Sequence, residues 1–326
     1  MRKLIVILLL LALVPVAAHA ADFKVGYAER DVTPTQPIPM WGYGARHALP
    51  GEGTLDPLYA KAVVIEAGED KLALVGLDIG RSPTARSMEI IEAAVREQAG
   101  VEHVMIVGSH THHGPVLELV DKPGMGQGRF DDAIAYVAEL EQKLIAAIVE
   151  AAEGAVGAKM GWGTAETDLS RNRHKKKRPK PVDRELAVLR FDRLDGTPIA
   201  VMVNMAAHPT IHKVGDRRWS SEWPGHMQAA VQEQLGAPCV FMQGAAGDLS
   251  PNTNDERRGI DGFGRAVAER VVEINQEIET HVPEAPGIEA KDEDHVFPMR
   301  VDLSNPAIRG AFMMAFFPEM IAFAEE

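Results

Sequence analysis

Along this chain, segments whose apolar positions have the pattern of a β-strand alternate with segments whose apolar positions have the period of an α-helix. Short apolar runs bounded by turn residues predict strands, and apolar residues at helical spacing predict amphipathic helices. We expect strands at 59–66, 72–78, 104–107, 186–191, 199–205 and 239–242. We expect helices at 84–98, 131–152, 222–235 and 261–278. This alternation predicts an α/β fold with a layered mixed β-sheet core flanked by helices.

Three of the predicted strands run directly into polar loops that are rich in glycine or histidine. These loops cover 108–115, 208–210 and 244–252. In open α/β sheets, ligands bind in the crevice outside the carboxyl ends of the strands. We therefore expect an active site at the strand C-terminal ends, where the three loops converge.

The first two loops supply candidate metal ligands. In an extended segment His110 and His112 point to the same side and His113 to the other. His208 ends a buried strand, and Pro209 favours extended geometry before it. Neutral imidazole is the commonest protein ligand of zinc, so these side chains indicate a metal site. The alternatives are a surface histidine cluster or ring stacking in a turn for the first loop, and a core histidine bonded to a carbonyl for the second.

Two further side chains are candidates for catalysis. Ser250 precedes Pro251 in the third loop, where it could act as a nucleophile or aim its hydroxyl at an oxyanion. The alternative is a capped turn leading to a helix. Arg173 stands in a loop that we expect to follow a helix, where it could clamp a carboxylate, phosphate or amide oxygen. A solvated arginine is the alternative there.

Charge limits the partners of this chain. The formal net charge is −13, which repels nucleic acid and anionic membrane, so we expect no nucleic-acid partner. The basic run at 174–180 is an exception, either a solvated loop or a patch for lipid headgroups or an anionic substrate. Cys239 is the only cysteine, which excludes an intramolecular disulfide. The sequence does not indicate an oligomeric state.

The N-terminal segment predicts export. Arg2 and Lys3 precede an apolar run that ends near Pro15, and a small residue recurs at the expected cleavage site near Ala20. This pattern is typical of a secretory signal peptide at 1–20. We expect a periplasmic or secreted protein, with an uncleaved membrane anchor as the alternative interpretation.

The three loops together resemble motifs of one enzyme family. The stretch 108–115 (GSHTHHGP) resembles the THTHSGP motif of neutral/alkaline ceramidases, with His113 where that family usually has serine. The stretch 247–252 (GDLSPN) is similar to the family's GDVSPN, and 204–210 (NMAAHPT) resembles its NFAxHPT. Weaker similarities, in the family's order, cover 26–34, 41–43, 58–60, 77–80, 172–173 and 221–225.

This resemblance implies a zinc-dependent amidohydrolase that splits ceramide-like lipids into a fatty acid and a sphingoid base. It implies that His110 and His208 bind Zn²⁺ and that His112 lies beside the metal, where it could handle protons. Ser250 matches the serine implicated in catalysis, and Arg173 matches an arginine near the reacting group. The implied partner is a lipid-like N-acyl substrate. The basic run at 174–180 leaves peripheral membrane contact open.

The chain also departs from the family pattern. The family takes a glutamate and a tyrosine ligand from a later part of its catalytic domain, and no stretch before Glu326 matches them. We therefore expect a ceramidase-like catalytic domain at 22–326 whose C-terminal part is missing. Two other functions stay open: a zinc hydrolase of another amide or ester, and a catalytically impaired binding protein.

Overall fold

The computed structural model describes residues 22–43, 46, 49–117, 131–291, 293 and 301–316. The strands are β1 (Phe23–Asp31), β2 (Tyr59–Ala67), β3 (Asp70–Leu77), β4 (His103–Gly108), β5 (Val156–Glu166), β6 (Ser170–Asn172), β7 (Glu185–Arg193), β8 (Pro198–Met205), β9 (Cys239–Gln243) and β10 (Leu249–Pro251). The helices are α1 (Ala85–Ala99), α2 (Asp131–Glu153), α3 (Glu222–Leu235), α4 (Gly259–Glu277) and α5 (Pro306–Phe316). The expected α/β fold is confirmed, and each strand and helix predicted above is present.

Eight strands form one mixed sheet in the order β4-β3-β2-β1-β5-β7-β8-β9. The β3–β4 and β8–β9 pairs are parallel, and the other neighbours are antiparallel. At the centre β1 and β5 share only two residue pairs, Lys24 with Gly157 and Val25 with Val156. The sheet is therefore divided there into two halves of four strands.

The two halves repeat one topology. The first runs β1-β2-β3-α1-β4-α2, and the second runs β5-β7-β8-α3-β9-α4, with the short strands β6 added after β5 and β10 after β9. In each half an antiparallel run of three strands is followed by a crossover helix and a parallel fourth strand. A crossover helix is needed because parallel neighbours cannot be joined by a tight turn.

The halves lie face to face, with helices outside them. One apolar cluster joins both halves and includes Val63 of β2, Phe191 of β7 and Val240 of β9. A second cluster packs α1 and α2 on the first half, and a third packs α3 and α4 on the second. A Cβ on Gly76 of β3 would lie 2.6 Å from the carbonyl oxygen of Phe241, so β3 and β9 are in close contact. This contact places β9, one edge of the sheet, against β3, the neighbour of the other edge strand β4.

Helix α1 begins and ends where its sequence predicts. The Thr84 side chain accepts the amide of Ser87 and so caps the first turn. Gly100 ends the helix with a φ of 65°, a left-handed conformation that glycine adopts without a Cβ penalty. None of the described helices has the length and apolar character needed to cross a bilayer. The predicted signal peptide at 1–20 lies outside the described residues and stays a prediction.

Candidate metal centre

Three histidines from two distant loops meet at the carboxyl ends of β4 and β8. One ligand nitrogen from each of His110, His112 and His208 lies within 4.8 Å of the others. The Nε2 atoms of His112 and His208 are 3.2 Å apart, and the rings of His110 and His208 have centroids separated by 4.5 Å. This spacing allows one ion to contact all three rings. β4 and β8, which carry these loops, lie far apart in the strand order. The loops meet because the two halves of the sheet face each other.

The histidine loop reaches this arrangement through a turn, so the predicted extended geometry is wrong. His110 has a left-handed backbone with a φ of 68°, and a turn includes His112 and His113. The Thr111 hydroxyl holds the turn, because it donates to the Ser220 carbonyl at 2.7 Å and accepts the His113 amide at 3.1 Å. The expected separation of His113 from His110 and His112 is still present, because the His113 ring lies against the Lys213 carbonyl.

An aromatic wall supports the histidine rings. Trp41 meets His110 and His112 edge to face, with centroids 4.9 Å and 5.3 Å away, and Tyr43 meets His112 at 4.6 Å. Gly42 lies between these two aromatic residues with a φ of 104°, and a Cβ there would stand 2.5 Å from Cγ of His112. The sequence showed 41–43 only as a weak family resemblance, so the role of this wall was not predicted.

Gly42 gives a test of how closely the wall must fit. We expect Gly42→Ala to displace His112 together with Trp41, whose ring orients His110, and to lower metal affinity on the order of tenfold or more, as loss of ligand-orienting contacts does. Positive φ also makes alanine unfavourable there by about 1–3 kcal/mol. Gly53→Ala is the matched control, because Gly53 has a φ of 116° and a Cβ at that position would meet nothing within 4 Å. Competition with a chelator and urea unfolding of both variants measure the two effects. Equal metal affinities in the two variants would contradict the expectation.

A single amide side chain ties the two histidine loops together. Nε2 of Gln243, the last residue of β9, donates to the Ser109 carbonyl at 2.8 Å and to the Ala207 carbonyl at 3.1 Å. Ser109 precedes His110, and Ala207 precedes His208. Gln243 therefore helps to set the distance between the loops. Sequence reasoning missed it, although its position at the end of a strand entering the third loop was visible.

Burial keeps the three imidazoles neutral. Loss of hydration, reinforced by the neighbouring histidines, lowers the pKa of His110 to about 4 and that of His112 to about 2. Burial also lowers the pKa of His208. Nδ1 of His208 lies 3.0 Å from the Ala246 carbonyl, and a proton donated there leaves a lone pair on Nε2. The donor set therefore fits a cation that prefers nitrogen ligands.

Arg173 lies beside His208. Its Nη2 atom is 3.1 Å from Nδ1 of His208 and donates to the Gly247 carbonyl at 2.9 Å. The expectation that a helix precedes Arg173 is wrong, because the residue directly follows β6. β6 pairs with β10, and this pairing carries the arginine to the third loop.

Ser250 occupies the middle of β10, not a capped turn leading to a helix. Its side chain is buried, and its Oγ has no hydrogen-bond partner within the described part of the chain. The preceding carbonyl, that of Leu249, accepts the His208 amide at 3.2 Å. The structure thus places Ser250 next to the backbone that carries His208, with a hydroxyl that is not used to hold the fold.

A buried glutamate near the histidine loops was not predicted as a site residue. Glu222 is fully buried and has a φ of 59°, and its carboxylate accepts the amides of His212 at 2.6 Å and Trp223 at 2.8 Å. Burial raises its pKa to about 7. His212, four residues after His208, places its Nε2 3.0 Å from the Asp216 carboxylate and lies outside the histidine group.

Comparison with known proteins finds one family along most of the chain. The family model described as neutral/alkaline non-lysosomal ceramidase, N-terminal, matches residues 23–261. The curated relative neutral ceramidase 3 of Arabidopsis thaliana is 30% identical over 138 residues, which cover 39% of this chain and 18% of the relative.

Solved structures share the fold. The neutral ceramidase of Pseudomonas aeruginosa superposes with a TM-score of 0.68 and 21% identity, over 78% of this chain and 45% of that one. A structure described as ceramidase complexed with C2 gives a TM-score of 0.67 and 20% identity, over 78% of this chain and 44% of that one. The chain thus spans less than half the length of these relatives. Since the family model matches most of its residues, the chain belongs to the neutral/alkaline non-lysosomal ceramidase family and carries that family's N-terminal domain.

Proposed function

We propose that this domain provides the zinc centre of an amidohydrolase that cleaves the N-acyl amide bond of ceramide-like lipids. The observation that carries the proposal is the meeting of His110, His112 and His208 within one ion's reach. Family membership supports the reaction class, since the relatives are named as ceramidases. The structure described as complexed with C2 supports a ligand site in this fold.

His110 and His208 are the proposed metal ligands. Both belong to loops at strand ends, and both are neutral at pH 7 because burial lowers their pKa values. Imidazole nitrogen suits zinc among the available divalent metals, and the family resemblance points the same way. When bound, zinc polarises a carbonyl oxygen and lowers the pKa of a coordinated water toward about 7.

His112 is the proposed proton carrier. Its ring is buried and neutral, and its Nε2 lies 3.2 Å from Nε2 of His208. A neutral imidazole can accept a proton from the attacking water and pass it to the leaving amine. The same nitrogen is also close enough to serve as a third ligand, and the variants described in the Discussion separate these two roles.

Arg173 and Ser250 are proposed to stabilise the negative charge that develops on the amide oxygen. The guanidinium of Arg173 offers several donors in a fixed planar geometry, and its Nη2 lies 3.1 Å from Nδ1 of His208. The Ser250 hydroxyl has no partner among the described residues and is free to donate. Preorganised donors of this kind commonly contribute about 10²–10³ in turnover.

A substrate panel tests the proposal. The purified protein, loaded with zinc, is incubated with ceramides of several chain lengths, with short N-acyl amides and with matching esters. We expect release of fatty acid from ceramides, loss of that release with a zinc chelator, and recovery when zinc is returned. Faster cleavage of short amides or esters would assign the site to another substrate. A zinc-loaded protein that releases no acid from any compound would contradict the hydrolase assignment.

A further inference from the structure

A strongly basic loop leaves the candidate site directly after Arg173. We call residues 174–180 the basic loop; it carries Lys175, Lys176, Lys177, Arg178 and Lys180, and all of its residues are exposed. The loop begins beside the histidine group, because Nη2 of Arg173 lies 3.1 Å from Nδ1 of His208. Its cations therefore extend from the entrance of the proposed active site.

Both ends of the basic loop are fixed by one buried side chain. Oδ1 of Asn172 accepts the amides of His174 at 3.2 Å and Lys175 at 2.8 Å. Nδ2 of Asn172 donates to the Pro181 carbonyl at 2.9 Å and to the carboxylate of Asp248 at 2.7 Å. Asp248 belongs to the loop that also contacts His208 through Ala246. The loop is thus held at the site while its cations point into solvent.

None of these cations has an acidic partner among the described residues. In the described part of the chain, no ion pair involves the four lysines and one arginine of the basic loop, whereas Arg257 pairs with Asp168 at 2.8 Å. The whole chain has a net charge of −13. An acidic protein is repelled by an anionic surface unless a local cluster of unpaired cations faces that surface.

Exposed apolar side chains stand on the other loops around the histidines. Val214 is 49% exposed and Leu49 is 44% exposed. Arg46 links both to the site: its guanidinium donates to the carbonyls of Val214 and His112, and its own carbonyl accepts the Leu49 amide. Stable attachment to a bilayer usually needs two signals, such as a basic cluster together with apolar insertion.

We propose that the basic loop docks the entrance of the site onto an anionic lipid bilayer. Lysine ammonium groups near such a surface are attracted to acidic headgroups. The loop contains no Phe, Tyr or Trp on which a base could stack, so it does not fit a single-stranded nucleic acid. The benefit of docking rests on the proposed function, because docking would bring an N-acyl lipid in the bilayer to the histidines. Bilayer binding itself requires no turnover.

Vesicle binding tests this surface. The full chain is mixed with vesicles of phosphatidylcholine, with and without about 30 mol% phosphatidylglycerol, at low and high salt, and bound protein is measured after sedimentation. Neutral vesicles report the apolar contribution, including that of the N-terminal apolar run. The test variant is Lys175→Gln/Lys176→Gln/Lys177→Gln. The control variant, Arg265→Gln/Arg270→Gln/Lys291→Gln, loses the same charge elsewhere on the surface.

We expect the anionic lipid to strengthen binding of the wild type at low salt and high salt to abolish this gain. In the test variant the increase in binding caused by anionic lipid should be at least about tenfold smaller, and the control variant should keep most of this increase. Equal losses in both variants, or no gain with anionic lipid, would overturn the proposal. Comparable binding of a single-stranded oligonucleotide would also overturn it, because the loop would then be a general polyanion site. Fatty-acid release from detergent-solubilised ceramide is measured separately, so failure of the proposed function is distinguishable from failure of membrane docking.

Discussion

Replacing His208 with alanine is expected to remove the bound metal. His208 contributes one of three nitrogens that lie within 4.8 Å of each other, and its Nδ1 contact with Ala246 presets the ring. Losing a ligand should weaken zinc affinity by more than the roughly 10–100-fold that loss of an orienting partner causes. Zinc content after dialysis, and competition with a chromogenic chelator, measure the loss. Zinc should also raise the unfolding temperature of the wild type but not that of the variant, because only a bound ion stabilises the folded state.

The control and a second variant sharpen this experiment. His281→Ala removes an imidazole whose side chain is 75% exposed and which lies outside the histidine group, so its zinc content should match the wild type. His112→Ala then separates the two roles proposed for His112. Zinc affinity lost as in His208→Ala makes His112 a ligand, whereas zinc retained with lost turnover makes it the proton carrier. Unchanged zinc binding in His208→Ala would contradict the metal centre itself.

The sequence predicted the helices whose apolar residues recur at helical spacing and the strands whose residues form continuous apolar runs. Helix α2 buries residues such as Tyr136, Leu140 and Leu144 at helical spacing. Strands β3 and β8 are apolar along most of their length because both faces are covered, by the partner half on one side and by helices on the other. Such patterns are set by local chain geometry and are visible without a structure.

Strands β1 and β5 were missed because glycine replaces apolar side chains in them. A Cβ on Gly26 of β1 would lie 1.8 Å from the Ala151 carbonyl oxygen, so α2 packs directly against the strand backbone. A Cβ on Gly161 of β5 would similarly lie 2.3 Å from the carbonyl oxygen of Glu279. Close packing of this kind removes the hydrophobic signal, although the strands are central to the sheet.

The sequence predicted the candidate ligand residues but not the residues that support them. His110, His112 and His208 were visible as histidines at strand ends, and family motifs added Ser250 and Arg173. The supporting contacts join residues that are distant in sequence, such as the hydrogen bonds from Gln243 to Ser109 and Ala207. The same is true of the contacts that Trp41, Gly42 and Glu222 make. Contacts of this kind depend on the face-to-face halves, which no local pattern specifies.

Two buried serines in neighbouring strands should respond to alanine in opposite ways. Ser250 of β10 has a hydroxyl with no partner in the described part of the chain, whereas Ser170 of β6 donates to the Ala206 carbonyl at 2.6 Å. Ser250→Ala should leave the free energy of unfolding nearly unchanged, because no hydrogen bond is lost. Its turnover should fall by about 10²–10³, the usual effect of removing a donor to an oxyanion.

Ser170→Ala should show the reverse. Its lost hydrogen bond leaves the buried Ala206 carbonyl unsatisfied, which costs about 1–3 kcal/mol of stability, while turnover should change by less than about tenfold. Urea unfolding, zinc content and steady-state kinetics are measured on both variants. Zinc content should stay at the wild-type level in each, since neither serine is a proposed ligand. If Ser250→Ala instead loses stability and keeps its turnover, the unpaired hydroxyl serves the fold, and the catalytic role proposed for Ser250 is wrong.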